Sequence, residues 1–243
     1  MKQKTIAIVH YNTPELLEAE IKSIRKQMGD VYQIVILDNS DQRPFTKRMK
    51  GVKVINNRKQ QLINFDKELE KYPERCTDLA YKGNFASVKH MMSVQYLMDE
   101  VLKDGFILMD SDILLIRDIG YIWDEKFAAG GRIIWYKGRA PYHDRLQPYV
   151  CYLNVPMLRE AGIKFYEPTR CWGLMPGGTQ NSNNLYDTGA SLLEDIVNSK
   201  PKVWCRNYQD LEDDYVHFAN ASYSHNIPDH HKEWLETYKY LYE

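Results

Sequence analysis

Residues 5–9 read TIAIV, residues 33–37 read QIVIL, and an apolar helical pattern lies between them. Few arrangements satisfy both features. Short runs dominated by β-branched residues, with no polar alternation, suit strands buried on both faces, and such strands belong to parallel sheets covered by helices. Between the runs, Leu16, Leu17, Ile21 and Ile24 recur at helical spacing. Thr13 stands at the N-cap position and Pro14 in the first turn, giving a helix to about Gln27. A third run, Val52 to Ile55, extends the pattern to a right-handed βαβ unit. The chain is thereby expected to fold as an α/β protein with a mostly parallel central sheet flanked by helices.

Each run ends in polar residues: His10-Tyr11-Asn12 after the first, Asp38-Asn39-Ser40-Asp41 after the second. A helix is expected from Phe85 to Leu102, with a broad apolar set, followed by a fourth strand in Phe106–Leu115, FILMDSDILL. In open α/β sheets ligands bind beyond the carboxyl ends of the strands, which is where all these polar clusters fall. Asp110 and Asp112 interrupt an apolar run, and side chains two apart on an extended segment share a side. Two carboxylates so placed repel unless a cation lies between them. Oxygen ligands favour hard ions, so Mn²⁺ or Mg²⁺ is the expected cofactor. A bare Asp-x-Asp also arises by chance in a chain this acidic, and caps or turns account for many aspartates after strands. It is the context that gives this pair weight.

Composition bounds the rest. With 243 residues, 44% hydrophobic, the chain can bury one sizeable core. A formal charge of −1 and the absence of a dense basic run argue against nucleic acid as a partner. Four cysteines without paired spacing argue against a zinc site or a disulfide framework and suggest a reducing compartment. No apolar stretch is long enough to span a membrane and the N-terminus does not read as a signal peptide, so the expected location is the cytoplasm. Docking at the inner face of the membrane by a few exposed aromatics stays open. Beyond residue 116, RIIWY and YVCYLNV read as strands. CWGLMPGGTQNSNN is a long loop, Asp187 stands before a helix over Ala190–Asn198, and YVHF carries His217 in a further strand. His231 to Glu243 reads as an amphipathic helix.

TIAIVHYN, VILDNSD and GNFASVKHMMSVQYLMDEVLKDGFILMDSDI together resemble the nucleotide-sugar-binding half of GT-A glycosyltransferases, the nucleotide-diphospho-sugar transferase fold. The likeness is closest to the family 2-like group of inverting bacterial enzymes and spans roughly residues 4–116. It implies a single GT-A domain over 1–243, with 1–116 as the nucleotide-sugar-binding half and 117–243 as a mixed acceptor and catalytic half. It also implies a nucleoside diphosphate sugar donor, UDP- or GDP-linked, a divalent metal, and a glycan, lipid-linked or protein acceptor, as in polysaccharide biosynthesis. Mapped onto this chain, the donor would meet His10, Tyr11, Asn12, Asp38, Asn84, Lys89, Asp110 and Ser111, and the metal Asp110, Asp112 and His217. Leu37-Asp38-Asn39-Ser40 departs from the family's Asp-Asp-Gly-Ser, so only Asp38 carries over there. Asp187 stands about where an acceptor-side carboxylate is expected and is the candidate base; an ordinary helix cap is the competing role.

Arg145, Arg170, Trp172 and Tyr142 are weaker candidates for phosphate or sugar contacts. Two other functions fit the Asp-x-Asp: a phosphatase of the haloacid dehalogenase type, and a sugar-nucleotide-binding relative without catalysis. The mid-chain position of the pair and the Ile-Leu-Leu after it count against the first. The absence of G-x-G-x-x-G after the first strand disfavours a dinucleotide-binding domain.

Overall fold

The computed structural model describes residues 3–71, 79–137, 143–171, 186–218 and 228–243. β1 (Lys4–His10) leads through α1 (Pro14–Met28) to β2 (Tyr32–Asp38) and β3 (Val52–Asn56). The short α2 (Phe65–Glu70) precedes α3 (Leu79–Tyr96), which runs on into a π-helical turn at Leu97–Val101. β4 (Phe106–Asp110) and β5 (Ile113–Leu115) follow, then β6 (Ala129–Ile134), β7 (Arg145–Leu153), α4 (Val155–Glu160) and α5 (Pro168–Cys171). The chain ends through α6 (Ala190–Asn198), β8 (Cys205–Asn207), β9 (Tyr215–His217) and α7 (Pro228–Thr237). No described helix is long and apolar enough to cross a membrane.

Among the described residues the main sheet has seven strands in the order β3-β2-β1-β4-β7-β6-β8. β1 runs parallel to β2 and β4, and β2 parallel to β3, while β7 is antiparallel to both β4 and β6. The α/β expectation therefore holds, with the mixed part of the sheet confined to the second half. Strand alternation divides the core in two. Ala7, Val35 and Leu108 pack with Val88, Met91 and Val94 of α3 on one face. Ile6, Ile8, Ile34, Ile36 and Met109 pack with Leu17, Ile21 and Ile24 of α1 on the other. Burial on both faces is why these strands read as unbroken apolar runs.

A second, two-stranded ribbon pairs β5 with β9 in antiparallel fashion, setting Ile113 opposite His217. Leu114 of this ribbon packs with Ala19 of α1 and Leu241, and Trp234, Leu235 and Tyr238 close over the same small core. Phe218, next to His217, meets His231 at 5.2 Å and Trp234 at 5.4 Å between ring centres. The C-terminal helix thus braces the ribbon from behind.

Three local expectations are corrected. α3 begins at Leu79 rather than Phe85. Thr13 occupies the N-cap position of α1 but its side chain makes no capping hydrogen bond. Asp187 does not open α6, whose N-cap is Gly189 at φ 85°, a left-handed conformation that favours glycine.

Candidate active site at the carboxyl edge of the sheet

The Asp110–Asp112 pair sits where β4 ends and the chain turns. Asp110 is the last residue of β4, Ser111 and Asp112 form a turn, and Ile113 begins β5. The two carboxylates converge through this turn, not through strand alternation. From β9, His217 brings its Nε2 to 3.2 Å from Asp112 Oδ1. One ligand atom from each of Asp110, Asp112 and His217 lies within 4.8 Å of the others. Phe218 donates its backbone N–H to the Asp112 carbonyl at 2.9 Å, which ties the two segments together.

Burial works against the charge on Asp110, but His90, His217 and Arg145 outweigh it and hold the carboxyl below its ordinary value. Burial likewise opposes charge on His217, yet Asp112 and Asp110 raise its pKa. This triad fits a divalent cation. It offers two carboxylate oxygens and an imidazole nitrogen, and Asp110 Oδ1 is a buried atom left without a well-aligned hydrogen bond among the described residues.

Three of the strand-end residues assigned as donor contacts have side chains engaged within the protein. His10 and Asp38 face each other in register across β1 and β2, and both are fully buried. His10 Nε2 accepts the Thr13 backbone N–H at 3.1 Å, so the proton belongs on Nδ1, which donates to Asp38 Oδ1 at 3.0 Å. Asp38 also accepts the backbone N–H of Ser40 at 3.0 Å and of Phe45 at 2.8 Å. Burial favours its neutral form, but these hydrogen bonds outweigh burial and keep its carboxyl below the usual range.

Asn12, also buried, accepts from the backbone of Gln42 and Arg43 at 3.1 and 2.9 Å and donates to Asp41 at 2.5 Å. The side chains of His10, Asn12 and Asp38 are thus taken up in joining the loops after β1 and β2. What these loops present outward is Tyr11, half-buried and donating to Asp41 at 3.2 Å, with Lys89 Nζ 5.9 Å from its ring. Ser111 is half-buried in the turn. The side chain of Asn84, and Trp172 and Tyr142, lie outside the described residues.

Asp187 pairs with Arg145 of β7, and its Oδ1 accepts the Thr188 N–H at 2.7 Å. Arg170, by contrast, is spent on Glu194 and Asp195 of α6, at 2.8 and 2.6 Å. Three further residues in or near the site do not stand out in the sequence. His90 of α3 holds Nε2 at 3.1 Å from Asp110 Oδ1. Tyr149 of β7 lies 4.2 Å from the His217 ring, centre to centre. A histidine beside buried Met91 and Val88, one residue from Lys89, was the available signal for the first.

Glu20 is the third. It falls between Leu16 and Ile24 on the apolar stripe of α1 and is fully buried, with no hydrogen-bond partner for either carboxylate oxygen among the described residues. Burial first, then the negative charges of Asp112 and Asp110, push its pKa well above the ordinary 4.5. The folded chain therefore keeps this proton to higher pH than the unfolded chain does. Its contribution to stability is complete below the unfolded value and is lost as pH rises toward the folded one. Glu20→Gln removes that dependence. Urea titrations in chelator should show the variant gaining on the parent by up to about 1.4 kcal/mol per pH unit above pH ~4.5. A difference that stays constant with pH would mean that Glu20 ionises normally.

Comparisons place this architecture among known folds. No protein-family model matches the sequence, and no curated protein matches it. Among solved structures, the galactosyltransferase LgtC in complex with donor and acceptor sugar analogs aligns over 85% of this chain and 73% of its own, with a TM-score of 0.51 and 12% identity. The glycosyltransferase GlyE of Streptococcus pneumoniae TIGR4 aligns over 95% of this chain and 50% of its own, at 12% identity and a TM-score of 0.46. A mannosyltransferase of Pyrobaculum calidifontis, in complex with GDP-Man and Mn²⁺, aligns over 86% and 55%, at 12% identity and a TM-score of 0.43. At these identities the likeness concerns the fold, which is the GT-A glycosyltransferase fold.

Proposed function

We propose that this chain is a metal-dependent glycosyltransferase. It moves a sugar from a nucleoside diphosphate sugar, UDP- or GDP-linked, to a glycan or glycoconjugate acceptor with inversion at the transferred carbon. It acts as a single domain in which residues 1–116 take the nucleotide and 117–243 the acceptor. One observation carries this reading: Asp110, Asp112 and His217 converge within 4.8 Å at the carboxyl edge of the sheet, where open α/β folds bind ligands. The galactosyltransferase that shares the fold was captured with donor and acceptor sugar analogs, the same pair of ligands that this reading requires.

Glycosyl transfer passes through an oxocarbenium-like state and expels a diphosphate. Mn²⁺ or Mg²⁺ bound by the triad supplies charge to offset that leaving group. The protein's own side chains do the rest. Asp110, Asp112 and His217 hold the cation, and Tyr11 and Lys89 line the edge where the nucleotide enters. Arg145 adds positive charge beside Asp110, and Asp187 is the carboxylate that takes the acceptor proton.

The test is thermal unfolding with UDP or GDP, with Mn²⁺ or with chelator. Stabilisation should appear only when nucleotide and cation are both present, reaching about 2.7 kcal/mol at a hundredfold excess over Kd. No shift with either nucleotide under any cation would overturn the assignment. Turnover of a generic aryl phosphate would instead mark a phosphatase.

A further inference from the structure

One charged contact joins the cation triad to the acceptor side. Arg145 opens β7, and its side chain is only 12% exposed. Its guanidinium binds Asp187 and acts electrostatically on Tyr149, the residue whose ring lies against His217. Its Nε is buried without a partner among the described residues. Burial disfavours the charge, but Asp187, Tyr136 and Tyr149 outweigh it and raise the pKa. The backbone fixes this meeting. A Cβ on Gly189 would stand 2.0 Å from the Leu146 carbonyl oxygen, so only glycine lets the 187–189 turn close on the start of β7.

Two consequences follow. Each oxygen of Asp187 already accepts one hydrogen bond, Oδ2 from Arg145 and Oδ1 from the Thr188 N–H, so an acceptor hydroxyl that reaches Oδ2 must share it with the guanidinium. Arg145, meanwhile, carries an unsatisfied donor and acts electrostatically on Asp110. A diphosphate resting on the triad would bring more than one negative charge to this arginine. The guanidinium fork matches phosphate oxygens at least as well as a carboxylate.

We propose that Arg145 is a positioning residue that works as a latch: without donor it holds Asp187, and the donor's diphosphate draws it away, leaving Asp187 Oδ2 open to the acceptor hydroxyl. This rests on the glycosyl-transfer reading above. The acceptor oxygen bonds to the sugar's anomeric carbon while its proton passes to Asp187 Oδ2. The bond from that carbon to the diphosphate oxygen breaks, and its electron pair leaves with the nucleoside diphosphate, against which Arg145 stays. The guanidinium thus leaves Asp187 Oδ2 only when donor is in place.

Calorimetric titration of UDP and GDP in Mn²⁺ tests this with the full chain and three variants, each checked by melting temperature. Asp187→Asn releases Arg145 and should tighten nucleotide binding about fivefold or more, the inverse of the fraction of time the latch is open, while transfer is lost. Arg145→Gln should weaken binding about tenfold or more, and Arg145→Lys should restore most of it, because a charged donor is retained. A pair that merely holds the fold together predicts the opposite for Asp187→Asn, since an uncompensated buried arginine weakens binding and lowers the melting temperature. Unchanged or weaker binding by a folded Asp187→Asn overturns the latch. Should that variant not fold, the arginine pair decides, and binding by Arg145→Gln equal to the parent overturns it. If the parent itself binds neither nucleotide with Mn²⁺, the glycosyl-transfer reading falls, and the latch with it.

Discussion

Asp38→Ala should destabilise the protein by about 3–5 kcal/mol, measured by urea unfolding. Its carboxylate sits fully buried and accepts the imidazole N–H of His10 and the backbone N–H groups of Ser40 and Phe45. Alanine orphans all of these donors at once, at roughly 1–3 kcal/mol each, less whatever a water entering the gap restores. Against a typical net stability of about 5–15 kcal/mol this is a large share. Asp38→Asn keeps acceptor capacity on one atom and should lose distinctly less. Were Asp38 a direct ligand of the nucleoside instead, the alanine variant would unfold within about 1 kcal/mol of the parent and fail only in nucleotide binding. That result would make the His10–Asp38 pair a binding element and not a structural one.

His217→Ala should cost roughly a hundredfold or more in Mn²⁺-dependent nucleotide affinity while leaving the fold intact. Residues that only orient a metal ligand typically change affinity about 10–100-fold, and His217 offers one of the three ligand atoms of the proposed cation site itself. It is half-buried at the end of β9, and the ribbon is held by backbone pairing with β5 and by the side chains of Val216 and Phe218, which the substitution leaves in place. Equilibrium dialysis of Mn²⁺ with and without UDP or GDP provides the measurement, and the melting temperature of the metal-free protein serves as control. Affinity within about threefold of the parent would remove His217 from the cation site, since even indirect partners cost more.

The strands were legible because burial on both faces leaves no room for polar alternation, so TIAIV and QIVIL announce themselves. Asp110 and Asp112 stood out for the converse reason, as acids in an apolar run. What the sequence hid was direction. His10 and Asp38 end neighbouring strands, and a polar residue there can face either solvent or the adjacent strand end. The parallel register that pairs them turns both inward, and register is a property of two segments, not of either alone. His90 and Glu20 were hidden in the same way. Each lies on a helix whose apolar residues dominate the pattern, and only the packing of α3 and α1 against the sheet brings them near the aspartates. The turn at Ser111 misled in its mechanism but not in its result, because a tight reversal and an extended pair can aim two carboxylates at the same point.

The ribbon formed by β5 and β9 has a consequence for biogenesis. Its first strand leaves the ribosome soon after Asp112, whereas its second arrives with His217 and is backed by the helix at Pro228–Thr237. A nascent chain can therefore complete β1–β4 and still lack the nitrogen that closes the triad. At the proposed cation site, tight capture of Mn²⁺ would then be a late event of synthesis, and ion retained by the nascent chain in a translation-arrest series would report when the tail has docked.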